Sequence, residues 1–336
     1  MVDRETGCGF APPESSLSTF FFCEGESALF LRVLEMVLPV LILLLLGCWC
    51  RFRQIFDQGG LMGLKSVISN IALPVVLFNA FFTAKYSLTV AMLFVAVYIG
   101  FCLTMAAGFG LRRLAAPYGK FMPFLLSGAE GGMLGYALYG LLTGEQSGFA
   151  AVDLGQTVFA YTAFLAVLKS TGGQTLSARM MLRNMVTNRC FVGMLLGIIL
   201  GVAGLGTFVA GSPVSGIVFG SISAITAPTS ALVLLVVGYE LNLKKSLLKP
   251  VAITVLSRLI LMGILLVMIS MLIFSIVPYD KNLHLALMVL YALPAPFIIP
   301  LFSDVGKDGE YISTTLSLHT LCTMLLFVAI AAYAVA

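Results

Sequence analysis

Charged side chains are scarce in this chain of 336 residues, where Asp, Glu, Lys and Arg together make up 10%. A typical soluble domain carries about 25%. Hydrophobic residues make up 60% of the chain, and its mean hydropathy is +1.06. A water-soluble domain of this composition would have too little polar surface to stay in solution. A soluble, disordered or fibrous chain is therefore excluded. The sequence predicts an integral membrane protein that is embedded in the lipid bilayer.

Motifs of enzyme chemistry are also lacking. His284 and His319 are the only histidines and lie far apart, so few ligands are available for a catalytic metal. The chain has no P-loop, zinc-protease histidine pair or nucleophile elbow. We therefore expect no enzymatic activity, no metal and no cofactor. The net charge of +4 is explained by membrane topology, so no nucleic-acid partner is expected either.

The chain contains apolar runs of about 20 residues, which is the length of a membrane-spanning helix. The strands of a β-barrel would instead alternate apolar and polar residues. The sequence predicts an all-α integral membrane fold with ten transmembrane helices. The predicted spans are residues 33–49, 66–82, 87–111, 121–142, 149–168, two spans in the charge-free stretch 190–239, then 251–277, 283–302 and 311–336.

Basic residues alternate along the predicted loops. Fourteen of the 19 Lys and Arg residues follow odd-numbered spans, four lie on the other side, and Arg258 lies within the eighth span. Loops rich in Lys and Arg face the cytoplasm. The pattern predicts a multi-pass protein of the cell membrane with both termini outside the cytoplasm.

A short repeat relates the second and seventh spans. Residues 66–74 and 220–228 share four of nine positions at an offset of 154 residues. Five spans in each half would give the halves opposite orientations, as in the inverted repeats of many secondary transporters. The predicted divisions are an extracytoplasmic tail (1–27), a first repeat (28–168), a cytoplasmic linker (169–185) and a second repeat (186–336).

The fourth and ninth spans make poor helices. The fourth contains Glu130 and five glycines, and the ninth contains Pro294, Pro296 and Pro300. Because glycine and proline disfavour helix interiors, both spans should be broken, leaving N–H and C=O groups that need partners in the bilayer. Opposed half-helix N-termini favour an anion. The predicted substrate-binding residues in these breaks are Gly131, Gly132, Pro294, Ala295 and Pro296.

The order of these motifs resembles that of the auxin efflux carrier family, which includes plant auxin exporters and bacterial malonate-type permeases. The fourth-span segment 130–137 keeps both glycines of the family pattern, with Glu130 in place of Asn and Ala137 in place of Pro. Residues 72–74, 292–294 and 304–310 also fit the family. The resemblance implies the fold of bile-acid/sodium symporters, with a scaffold domain of spans 1, 2, 6 and 7. The transport domain would comprise spans 3–5 and 8–10, and the broken spans 4 and 9 would cross inside it. The resemblance also implies elevator-type transport, in which one domain carries the site across the membrane while the other stays fixed.

Polar residues inside the spans complete the predicted site. Glu130 is expensive to ionise in the membrane, so it is predicted to couple transport to protons; its alternative role is to cap a half-helix. Asp153, expected near the outer end of the fifth span, is a second coupling candidate. Asn70 and Gln156 are predicted to bind substrate or a neighbouring helix. Arg258 is expected to pair with an anion or to extend toward the interface.

We therefore predict a secondary carrier of a small organic anion, with the proton as coupling ion and a homodimer left open. Two alternatives remain. The carrier could move a larger amphipathic anion with sodium, as bile-acid symporters do, or the protein could be a membrane sensor that transports nothing.

Overall fold

The structure is a computed structural model that describes residues 14–84, 86–171, 178–299 and 306–335. All regular secondary structure in these ranges is helical. The helices are α1 (Glu14–Phe52), α2 (Gln58–Phe82), α3 (Leu88–Leu111), α4 (Met122–Leu125), α5 (Tyr136–Thr143), α6 (Ser147–Thr171), α7 (Ala178–Thr187), α8 (Arg189–Val202), α9 (Leu205–Ala210), α10 (Ser215–Thr226), α11 (Thr229–Glu240), α12 (Leu248–Phe274), α13 (Lys281–Ala292) and α14 (Gly309–Val335).

Seven helical stretches among the described residues are long and apolar enough to cross a membrane. They are Val33–Phe52 within α1, α2, α3 with the turn that follows it, α6, the pair α10–α11, α12 with the turn before it, and α14. Many of their large apolar side chains lie on the outside of the molecule, for example Leu45, Ile217 and Met271. An all-α membrane protein is therefore confirmed.

The three remaining predicted spans look different. The sixth corresponds to α8, which is apolar but only 14 residues long. The fourth and ninth are interrupted, as their glycines and prolines predict. Ten spans and the inverted repeat stay predictions.

The second and seventh spans are irregular at the residues that match in the repeat. In α2 the five residues Ile68–Ala72 form a π-helical turn just before Pro74. The matching stretch ends α10 at Thr226, and α11 starts after Pro228. Proline has no N–H and clashes with the carbonyl four residues earlier. One helix accommodates this with a wider turn, and the other breaks.

Glycines let the predicted scaffold helices pack at close range. On α8, Gly193, Gly197 and Gly201 face the backbone of α2; a Cβ on Gly197 would lie 2.5 Å from the Phe78 carbonyl oxygen. Gly47 on α1 and Gly238 on α11 are in reciprocal contact with the partner helix backbone. Small residues at such interfaces are typical of membrane helices.

The predicted transport helices form another set of contacts. α3 packs on α6, while α12, α13 and α14 pack against one another and α13 also contacts α6. α14 further contacts α1. The broken segments lie within this second group and are almost entirely buried.

The predicted division boundaries meet the structure only in places. α1 begins at Glu14, inside the predicted tail 1–27, and α7 lies partly in the predicted linker. Residues 1–13 and 172–177 lie outside the described residues, as do Pro300 to Ser303 and the first two residues of the acidic stretch, 304 and 305.

Candidate functional site

The first break separates α4 from α5. Helix α4 ends after one turn at Leu125, and the chain then passes through residues 126–130 without a helix. Gly128 has a φ of +67°, which is easy for glycine and costly for other residues. A π-helical turn, Gly131–Gly135, then leads into α5. The local cause of the break is thus the glycine-rich composition read from the sequence.

The second break follows α13. Leu293 leaves the helix with an extended backbone (φ −65°, ψ 152°), and Pro294 and Pro296 follow it. Neither proline can donate the N–H that helix continuation needs, and each pushes the preceding residue toward extended backbone. Residues 293–296 are all buried.

The two breaks are in direct contact. The Glu130 N–H donates a hydrogen bond to the Pro294 carbonyl oxygen at 3.0 Å, and the Phe297 N–H donates one to Glu130 Oε2 at 2.6 Å. A Cβ on Gly128 would lie 2.8 Å from the ring of Pro296. Backbone groups freed by one break are therefore partly satisfied by the other.

Arg258 on α12 holds the two breaks together. Its Nη1 donates to the carbonyl oxygens of Leu125 (3.1 Å) and Ser127 (3.5 Å). Its Nη2 donates to those of Gly128 (2.6 Å) and Leu293 (3.1 Å). The side chain is 1% exposed, so the prediction that it might extend toward the interface is wrong. The guanidinium contacts carbonyls of both breaks, and its pairing with an anion stays a prediction.

Glu130 is 8% exposed, and its carboxylate lies on the second break. The bond from the Phe297 N–H gives it the geometry of the capping role. Its charge also acts on Tyr161 and Cys190, which places α6 and the start of α8 near the carboxylate. Whether Glu130 also carries a proton in transport stays a prediction.

Asp153 is fully buried within the protein, and its position near the outer end of the fifth span and its coupling role stay predictions. Oδ2 accepts a hydrogen bond from the Thr157 hydroxyl at 3.0 Å. Oδ1 lies against Gly131, close enough that a Cβ there would overlap it, and the buried hydroxyl group of Tyr136 lies nearby. Because Asp153 is the seventh residue of α6, it is already about 9 Å from the helix start. It lies beside the first break.

Equivalent polar contacts reach the two breaks from the helices that follow them. Gln156 on α6 donates a hydrogen bond to the Ala129 carbonyl oxygen. Thr323 on α14 donates one to the Ala292 carbonyl oxygen at 2.6 Å. In both cases a side chain in the last span of a predicted repeat satisfies a carbonyl freed by the broken span.

Asn70 lies apart from this network. Its amide donates to Ser66 of its own helix, at 2.9 Å to the carbonyl oxygen and 3.0 Å to Oγ, and the residue is exposed. Gly132, in contrast, borders open space, since a Cβ there would meet nothing within 4 Å. A small ligand beside Gly132 would be close to Glu130.

Several residues near the breaks were missed by sequence reasoning. Tyr136, at the start of α5, is buried near Asp153. Tyr161 packs on Phe191 with a ring separation of 5.6 Å, and Cys190 donates to the Ser69 carbonyl oxygen at 3.3 Å. His319, for which the sequence favours a helix-packing role over a proton relay, is 2% exposed, and neither ring nitrogen has a hydrogen-bond partner in the described part of the chain. Nothing in their local sequence distinguishes them from packing residues.

No family model and no curated protein matches this chain.

Proposed function

We propose that this protein is a secondary carrier of a small organic anion, of the auxin efflux carrier type, with its substrate site at the two breaks. The observation that carries the proposal is the contact between them. The Glu130 N–H bonds to Pro294, the Phe297 N–H bonds to Glu130, and Arg258 contacts both segments. Paired interrupted helices that line a site near the bilayer midplane are typical of transporters.

Ten spans in two inverted halves are part of this proposal. Helix pairing supports it, because α1 packs on α11 and α8 packs on α2, which is the exchange expected of related halves. The matched contacts of Gln156 and Thr323 support it further. Together with seven long apolar helices, the short α8 and the two broken spans account for ten crossings.

The site has the electrostatics expected for an anion that moves with a proton. The buried Arg258 guanidinium supplies positive charge beside both breaks, whereas Glu130 supplies negative charge when ionised. Like charges close together disfavour each other. An anion beside Gly132 therefore binds more strongly when Glu130 is neutral, and uptake rises as the pH falls.

The test is flux into proteoliposomes across a pH series, with malonate and indole-3-acetate as probes. Wild-type flux should rise toward low pH, while Glu130→Gln should give a flat profile near the low-pH level of wild type. Glu145→Gln is the matched control, because Glu145 is exposed and its carboxylate contacts only Ser147 among the described residues.

An unchanged pH profile in Glu130→Gln would remove Glu130 from coupling. Flux that requires sodium would favour the bile-acid-like alternative. Binding of either probe without flux above that of empty vesicles would favour a membrane sensor.

A further inference from the structure

A cavity lies at the end of α3, and none of the residues of the two breaks lines it. It has a volume of about 380 Å³ and is lined by Arg112, Arg113 and Lys120, together with apolar Phe109, Pro117 and Pro123. The three cations are exposed at its rim.

These cations lack counter-ions among the described residues. Two other basic side chains at helix ends do have partners: Lys65 pairs with Glu240, and Lys244 pairs with Glu310. No carboxylate within the described ranges forms an ion pair with Arg112, Arg113 or Lys120. Lys120 has an aromatic contact instead, with its Nζ 5.3 Å from the ring centre of Phe121. The cavity therefore presents unneutralised positive charge.

The loop that carries the cations is held in place by tight packing. Tyr118 stacks on Tyr311 of α14 with ring centres 4.7 Å apart. Ala115 is fully buried, and Gly119 approaches the Arg112 carbonyl so closely that any Cβ would overlap it. A ligand that binds here does not have to order the loop first, which lowers the cost of binding.

The apolar surroundings favour a ligand with a hydrocarbon part. Phe109 is 39% exposed and Leu114 is 56% exposed, on either side of the first cation. They lie where the apolar α3 changes to a charged loop, which marks the level of lipid headgroups. Arg forms paired hydrogen bonds with phosphate, and Lys adds a point charge.

We propose that this cavity binds the phosphate headgroup of an anionic phospholipid. The acyl chains would lie along Phe109 and Leu114, and the headgroup would contact Arg112, Arg113 and Lys120. The site is independent of anion transport at the breaks, so either proposal can fail alone.

The test is native mass spectrometry of the full-length protein with phosphatidylglycerol, and with phosphatidylcholine for comparison. The variant replaces Arg112, Arg113 and Lys120 by Gln. Its matched control replaces Arg53, Lys245 and Lys249 by Gln, which removes the same charge from other exposed positions. A cation that contacts the bound phosphate directly contributes roughly fivefold or more in affinity, whereas the control cations make no such contact. We expect the variant to bind phosphatidylglycerol on the order of 100-fold more weakly, with the control near wild type.

The thermal unfolding midpoints of both variants in lipid-free detergent establish that they fold. Three results would overturn the proposal. The first is unchanged phosphatidylglycerol binding by the folded variant, and the second is an equal loss in the control. The third is competition by glycerol 3-phosphate as effective as that by phosphatidylglycerol, which would indicate a site for soluble phosphates.

Discussion

Gly131 and Gly132 are neighbours in the sequence but have different surroundings. A Cβ on Gly131 would overlap the buried Asp153 carboxylate, whereas one on Gly132 would enter open space. The two residues share the same π-helical turn. They therefore allow the packing of the first break to be tested with matched variants.

We expect Gly131→Ala to destabilise the protein by about 1–3 kcal/mol, the usual cost of overpacking a well-packed interior. Gly132→Ala should leave stability unchanged or raise it by up to about 1 kcal/mol, because alanine favours helical backbone. Thermal unfolding midpoints in detergent compare the two. Equal midpoints would mean that Asp153 can move aside without cost.

Residue partners were the least predictable part of the site. Arg258 and Asp153 were both identified as notable from their charge and position, but neither the carbonyl partners of Arg258 nor the burial of Asp153 was predicted. Arg258 contacts backbone carbonyls, which every residue carries, so no side-chain pattern could point to them. The burial of Asp153 depends on how closely the first break packs on α6, which spacing along the chain does not reveal.

At the scale of the helix, irregularity was easier to predict. Both breaks follow from local composition. Gly128 permits the left-handed backbone found there, and Pro294 and Pro296 lack the backbone N–H that a helix needs. The π-helical turn before Pro74 was not predicted. A proline inside an apolar run can either end a helix or widen one turn, and the choice depends on the neighbouring helices.

The three glycines on α8 form a close helix contact in the predicted scaffold group. Gly197→Ala should weaken the packing of α8 on α2 by about 1–3 kcal/mol, because backbone cannot move aside as a flexible side chain can. Gly216→Ala on α10 is the control, since a Cβ there meets nothing within 4 Å. Thermal unfolding in detergent measures both. A Gly197→Ala protein as stable as the control would show that this contact is loose.

At the scale of the whole molecule, the contacts separate α1, α2, α8 and α11 from most of the remaining long helices. The proposed elevator motion requires these groups to slide past each other. Tyr161 on α6, in the predicted transport group, lies close to Cys190 on α8, in the predicted scaffold group. Ser69 on α2 also lies close to Cys190, but both of these residues belong to the scaffold group.

If transport depends on domain movement, a short cysteine crosslinker should therefore lower the flux of Tyr161→Cys by about tenfold or more. Ser69→Cys, crosslinked to the same Cys190, should retain flux. Both variants carry serine at the other six cysteines. Proteoliposome flux before and after crosslinking, with reversal by a cleavable linker, gives the comparison. Full flux in crosslinked Tyr161→Cys would contradict an elevator.

The guanidinium group of Arg258 limits which segments can move apart in the proposed elevator motion. Pulling the two interrupted helices apart would strand a cation in a hydrocarbon interior, together with the carbonyls of Leu125, Gly128 and Leu293. Leaving a buried charge without partners is among the most destabilising changes a protein can undergo. The two interrupted segments and α12 should consequently move together as one rigid unit, with the hydrogen bonds of Arg258 kept throughout.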